Sequence, residues 1–293
     1  MKTTPPSIAH KPQWDILLRQ AVEIPGTLNA AYSAFRRFSF LNTLLVMIEC
    51  ATRGIPIGTI ETFKGWIAKG RCVRKGQQAL SMWLPVMSKR SRNAAAGGDP
   101  SEQESSDDAS AVTVKPRFLF VKRWFVLSQT DGEPLPVLES DLWDYQTALK
   151  ALNIDEMPFA NEDGNMLGYA KMRAIAINPL GPDQHRVRFH EIAHIQLGHT
   201  AQGACADGST ITKEVKELQA ESVAMLCCAS LGLPGVDGSR AYIQAWFGTN
   251  TIPAENCKRI FAATEAILRA GYPEEMAAEA KTAPDTADLV GAV

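Results

Sequence analysis

The sequence predicts two α+β domains, a basic one over residues 1–130 and one over residues 140–293 built around a metal-type helix. The first observation is length, since 293 residues exceed one average domain and fit two. The second is charge. Residues 1–90 carry a net +9, residues 91–130 cancel, and residues 131–293 carry −11, all hidden inside a total of −2. The third is punctuation: TDGEPLPVLES (130–140) places Gly and two Pro where the charge changes sign.

The elements follow in order. Residues 13–52 read mainly as helix, clearest over 30–54, with Gly54 as its stop. Residues 65–78 mix glycines with cations and read as turn and short strand. ALSMWLPV (79–86) and RFLFVKRWFVLS (117–128) read as strands. Between them, residues 88–116 are rich in Ser, Ala, Gly, Asp and Glu and carry no aromatic, which predicts a mobile loop joining two paired strands of one sheet. Residues 141–154 read as helix and 166–179 as a strand pair. Helices follow around 183–198, 213–231 and 254–270, and the tail 277–293 is expected to fray. No internal repeat is present. No run of about 18 apolar residues offers a membrane span, and the N-terminus has no apolar signal core. Six cysteines without CxxC spacing read as buried free thiols. The expected setting is cytoplasmic.

HEIAH (190–194) is the strongest chemical signal. Residues four apart share a helix face, so His190 and His194 can bind one ion. Glu191, one residue round, can deprotonate a metal-bound water and pass the proton to a leaving amine. A catalytic zinc of this class needs a third protein ligand and an open position. His199 lies five residues past His194, about half a turn off the ligand face on a continuing helix, and reads as a helix-end residue. The helix TKEVKELQAESVAMLCCASLGLP (212–234) is the better source, capped by Thr212 and stopped by Gly232 and Pro234. One face carries Glu217, Ala220, Glu221 and Ala224, with the alanines permitting close approach. Glu217 is assigned as ligand and Glu221 as support to a ligating imidazole or as alternative ligand. Zn²⁺ is the expected ion, and Mn²⁺ or Co²⁺ suits the same donors. Tyr169 or His185 is the candidate oxyanion donor.

The basic half interleaves cations with aromatics: Arg36, Arg37, Phe40 and Asn42; Lys64, Trp66, Lys69, Arg71, Arg74 and Lys75; Arg123 and Trp124. Cations that follow phosphates and aromatic faces that stack on bases suit single-stranded nucleic acid. A duplex-reading helix or zinc finger is absent from the pattern. Binding of this kind weakens steeply with salt.

Taken in order, Phe40-Leu41-Asn42-Thr43-Leu44-Leu45, Val73-Arg74-Lys75-Gly76, Phe125 to Gln129, Gly168-Tyr169, Ile177-Asn178-Pro179, HEIAH and KELQAE resemble the ArdC-type plasmid antirestriction proteins along nearly the whole chain. KELQAE is also similar to the ImmA/IrrE-like peptidases, where the glutamate three residues before the alanine ligates the metal, which points to Glu217. The resemblance implies an N-terminal single-stranded-DNA-binding domain and a C-terminal zincin-like metallopeptidase domain of gluzincin type. It implies protection of plasmid DNA that enters by conjugation as a single strand, with a host protein as the candidate substrate and no membrane partner. Two rival readings are a DNA-binding shield with a structural metal and an accessory factor of plasmid primase or transfer. The chain departs from the family at AFRRFSFLN (34–42), where members carry a Tyr-x-Gly-x-Asn stretch, and at Ile195 to His199, where many have Trp-Thr-Gly-His.

Overall fold

The computed structural model describes residues 13–23, 27–87, 116–135, 142–160, 165–200, 211–249 and 252–272. Three helices come first: α1 (Trp14–Glu23), α2 (Thr27–Phe35) and α3 (Phe40–Arg53). The helical stretch expected over 30–54 is therefore broken at residues 36–39. Ser39 causes the break by capping α3, its Oγ accepting from Asn42 N–H at 3.2 Å. Gly54, at φ 63°, ends α3 in the left-handed region.

β1 (Ile60–Thr62) leads into α4 (Phe63–Ala68), and β2 (Arg71–Val73) follows. The expectation of turn and short strand over 65–78 thus missed a helix. Thr62 starts it by accepting from Gly65 N–H at 3.1 Å, which overrides the glycine signal. β3 (Leu80–Met87) and β4 (Pro116–Val126) pair antiparallel as expected, and β1 joins the other edge of β4. The loop expected over 88–116 lies outside the described residues except for Pro116. A 3₁₀ turn (Leu127–Gln129) and β5 (Thr130–Gly132), paired with β2, complete this part.

The C-terminal part runs α5 (Tyr145–Ala151), β6 (Asp155–Met157), β7 (Gly168–Lys171), β8 (Ala174–Ile177), α6 (Gln184–Gln196), α7 (Lys213–Leu231), α8 (Val236–Thr249) and α9 (Ala254–Ala270). β8 is central in its sheet, parallel to β6 and antiparallel to β7. α7 is the hub. Every residue from Leu218 to Cys228 is buried, so this helix is enclosed on all sides by α6, α8, α9 and α2. The frayed tail expected over 277–293 lies outside the described residues.

The change of charge sign is not a change of core. One apolar cluster runs from Leu17 and Phe35 through Trp124 to Val223 and Leu268. α1 packs on α8 and α9, and α2 on α7. Asn29 of α2 donates to the Ser230 carbonyl at 2.9 Å, sealing the end of α7. Of the cysteines described, Cys50, Cys227, Cys228 and Cys257 are buried free thiols, whereas Cys72 is exposed on the β2 edge; Cys205 lies outside the described residues. No helix among the described residues is long and apolar enough to cross a membrane.

Candidate metal centre

The β7–β8 hairpin delivers the chain to α6, and α6 lies along α7. Close packing is written into Gly168: a Cβ there would stand 2.8 Å from Val187 Cγ1 and 3.2 Å from Glu191 Cγ. Only a bare backbone lets β7 press on α6 at this point. On α7, the small Ala220 and Ala224 are fully buried.

The helix period brings His190 and His194 onto one face, and α7 adds Glu217. Nε2 of His190 lies 3.1 Å from Nε2 of His194 and 3.3 Å from Glu217 Oε2, and His194 Nε2 lies 3.7 Å from the same oxygen. Two ligands each about 2.1 Å from a tetrahedral ion stand about 3.4 Å apart. The three separations bracket that value, so the donor set fits one divalent cation. Among the described residues, this is the group whose donor atoms converge in such a way.

Glu221 does something else. Its Oε2 accepts from His190 Nδ1 at 2.9 Å, while Arg186 reaches both carboxylate oxygens at 2.9 and 3.2 Å and Ser239 donates to Oε1. Burial pushes this carboxyl up, but the bonds from His190 and Ser239 and the neighbouring positive charge hold it at about 2. His190 responds in the opposite sense. Burial lowers its basicity, yet the bonds to Glu217 and Glu221 and the surrounding negative charge push it up to about 9 without a cation. Glu217 is held below the usual carboxylate range by its bonds to His190 and His194. Glu191 is buried, and burial raises its carboxyl against the opposing pull of His190 and His194.

A cleft of about 480 Å³ opens beside the cluster, lined by Asp183, Arg186, His190, Glu217, Glu221, Gly238 and Tyr242. Tyr169, expected as the oxyanion donor, packs instead against Phe159, ring centroids 6.0 Å apart, and is not among the lining residues. His185 is exposed in the first turn of α6. Tyr242 is the tyrosine in the cleft, and sequence reading missed it because no helix was expected over residues 236–249. His199 was read as a helix-end residue. The helix stops at Gln196, and Gly198 at φ 75° turns the chain back, so His199 Nδ1 comes within 3.0 Å of His194 Nδ1.

In the basic half the structure corrects several expectations. Phe40, Trp66 and Trp124 are at most 2% exposed, so they fill the core and present no face to a base. Trp66 also donates to the Phe125 carbonyl at 2.8 Å. Asn42 is buried and clasps the Trp83 backbone through two bonds. Arg71 is buried too, its guanidinium bonded to Thr130, Gly132 and Glu133, and so staples β2 to β5. The remaining cations lie toward the surface. Arg37 and Lys69 share Glu61, at 2.9 and 3.5 Å, and Arg74 reaches Asp131 at 3.4 Å. Arg36 stacks over Tyr272 and Arg123 over Trp124, while Lys64 and Lys75 are exposed.

Residues 19–118 match the family model for the N-terminal domain of anti-restriction factor ArdC. Two crystal structures of the antirestriction ArdC protein from plasmid R388 share the fold. The metal-free form aligns at 17% identity and the Mn(II)-bound form at 16%, each with a TM-score of 0.52 over 94% of this chain and 100% of that one. No curated protein matches the chain. Residues 19–118 thus carry an ArdC-type N-terminal domain, and the chain shares its fold with the R388 protein along nearly its whole length.

Proposed function

We propose that the protein binds single-stranded DNA entering by conjugation, protects it from host restriction, and couples this to a metal-dependent peptidase activity of a zincin-like C-terminal domain. The convergence of His190, His194 and Glu217 beside the buried Glu191 and an open cleft carries this reading. The R388 relative has a Mn(II)-bound form, which supports a divalent cation here, Zn²⁺ or Mn²⁺ by donor chemistry. His190, His194 and Glu217 would hold it, and when bound it would polarise a scissile carbonyl and acidify water.

The chain's own groups supply the rest. Glu191, raised by burial, accepts a proton and returns it to the leaving nitrogen. Tyr242 keeps its hydroxyl proton, because burial and the charges of Glu217, Glu221 and Glu214 raise it, and it serves as hydrogen-bond donor to a substrate oxygen in the cleft. Arg186 and Ser239 fix Glu221, which fixes His190.

For DNA the interface is the outer side of α4. Trp66 points inward, while Phe63 and Ile67 stay outside, 51% and 54% exposed, beside Lys64 and Lys69. Phe63 replaces Trp66 as the stacking residue. Arg37, Arg74 and Lys75 extend the positive track.

Replacing Glu191 by Gln tests the coupling in a conjugation assay into a restricting host. The expected result is loss of protection with DNA binding retained. Unchanged protection would leave only a DNA-binding shield with a structural metal.

A further inference from the structure

Behind His194 the polar contacts run in a line. His194 Nδ1 stands 3.0 Å from His199 Nδ1, and His199 Nε2 stands 2.8 Å from Gln219 Oε1. Gln219 is fully buried, and its Nε2 has no hydrogen-bond partner among the described residues, so the bond to His199 is what holds the amide. An amide oxygen only accepts. His199 therefore carries its proton on Nε2 and keeps a lone pair on Nδ1. Two ring nitrogens at 3.0 Å need one proton between them, and that proton sits on His194 Nδ1. A neutral imidazole protonated there has its lone pair on Nε2, the atom that faces His190 and Glu217.

We propose that His199 and Gln219 are positioning residues that set the tautomer of His194, so that its Nε2 lone pair is offered to a divalent cation. This rests on reading the cluster as a metal site. The two imidazoles are served differently. Glu221 carries two acceptor oxygens and fixes His190 in one step. His199 is ambivalent, donor or acceptor at either nitrogen, so it needs Gln219 behind it to choose. Gly198, left-handed at φ 75°, makes the return possible, and the His199 N–H donates to the His194 carbonyl at 2.8 Å to lock it. Turning the Gln219 amide over would reverse both bonds and place an N–H where the cation must sit.

The test uses the full chain, with two readouts. Nitrogen-detected NMR of the metal-free protein reports which nitrogen of His194 is protonated, and calorimetric titration with Mn(II) reports affinity. Wild type should show a protonated Nδ1. His199→Leu should lose that state and weaken Mn(II) binding roughly 10–100-fold, the usual scale for a lost partner of a ligating histidine. His199→Asn, whose Oδ1 takes the place of Nδ1, should restore affinity close to wild type. Protonated Nε2 on wild-type His194, or unchanged Mn(II) affinity in His199→Leu, overturns the proposal. If His199→Leu does not fold by circular dichroism, Gln219→Leu carries the same two outcomes. A wild type that takes up no Mn(II) sinks the metal reading instead, and the NMR arm still decides the tautomer.

Discussion

At the scale of single residues, the site works by giving similar groups different surroundings. Glu217 and Glu221 are one helical turn apart, yet Glu217 Oε2 meets both Nε2 atoms while Glu221 is closed in by Arg186, Ser239 and His190. Their substitutions should therefore differ. Glu217→Gln removes a proposed ligand charge and should abolish most Mn(II) binding, whereas Glu221→Gln should weaken it roughly 10–100-fold by releasing His190; equal losses on titration would contradict the division. For the proposed peptidase, Glu191→Gln should reduce turnover on the order of 10²–10⁴-fold, as for loss of a general base, while leaving cation affinity intact. Titration has a sign as well. Glu221, held at about 2 against a usual 4.5, contributes stability that is complete above 4.5 and lost as pH falls through 2. His190, raised to about 9 from 6.5, contributes stability that is complete below 6.5 and lost as pH rises through 9. Thermal melts of chelated protein should therefore show these two contributions together between pH 4.5 and 6.5, and a maximum above pH 9 would rule this out.

At the scale of elements, α4 presents a buried structural anchor and the exposed residues proposed to bind DNA. Trp66 is fully buried and anchors the helix to β4, whereas Phe63 is half exposed. Trp66→Ala should cost about 3–5 kcal/mol of stability, as for truncating a large buried aromatic. Phe63→Ala should leave the melting temperature nearly unchanged and weaken the proposed single-stranded DNA binding by about 1–3 kcal/mol, the scale of one lost base stack. Fluorescence anisotropy with an oligonucleotide, read beside a thermal melt, checks both. A tight DNA complex with Phe63→Ala would move the interface off α4. The failed expectation has a plain cause: positions 63 and 66 are neighbours on the helix surface, and composition alone could not say which of the two aromatics entered the core.

At the scale of the whole molecule, the basic and acidic parts share one interior. α1 and α2 belong to the basic half by sequence and pack on α7, α8 and α9. A cation bound only by the folded state stabilises all of it, by about 2.7 kcal/mol at a hundred times its dissociation constant. Mn(II) should thus raise the melting temperature in a single cooperative transition, with the α1–α3 region following α7. A second, metal-independent transition would mean that the halves unfold separately. Single-stranded DNA affinity should fall steeply with salt, the slope of log affinity being about −0.7 per phosphate neutralised. A flat salt dependence would remove the charge argument.

The sequence by itself determined what depends on local period and caps. HEIAH with Glu191 between its histidines, Gly54 and Gly232 as helix stops, and Thr212 as a cap were legible because each is settled within a few residues, and the pairing of β3 with β4 because two strand patterns flank one polar insertion. That Glu217 would reach the two histidines was legible because two acids and two alanines share a face. Only the tertiary structure decided which aromatics of the basic half point inward, that Arg71 is a staple, and that Tyr242 rather than Tyr169 lines the cleft. It also decided that His199, off the ligand face on any straight helix, returns to His194 through the turn at Gly198. Burial is set by contacts between residues far apart in the chain, and the return of His199 by a left-handed turn and its bond to Gln219 on another helix, and no periodicity records either.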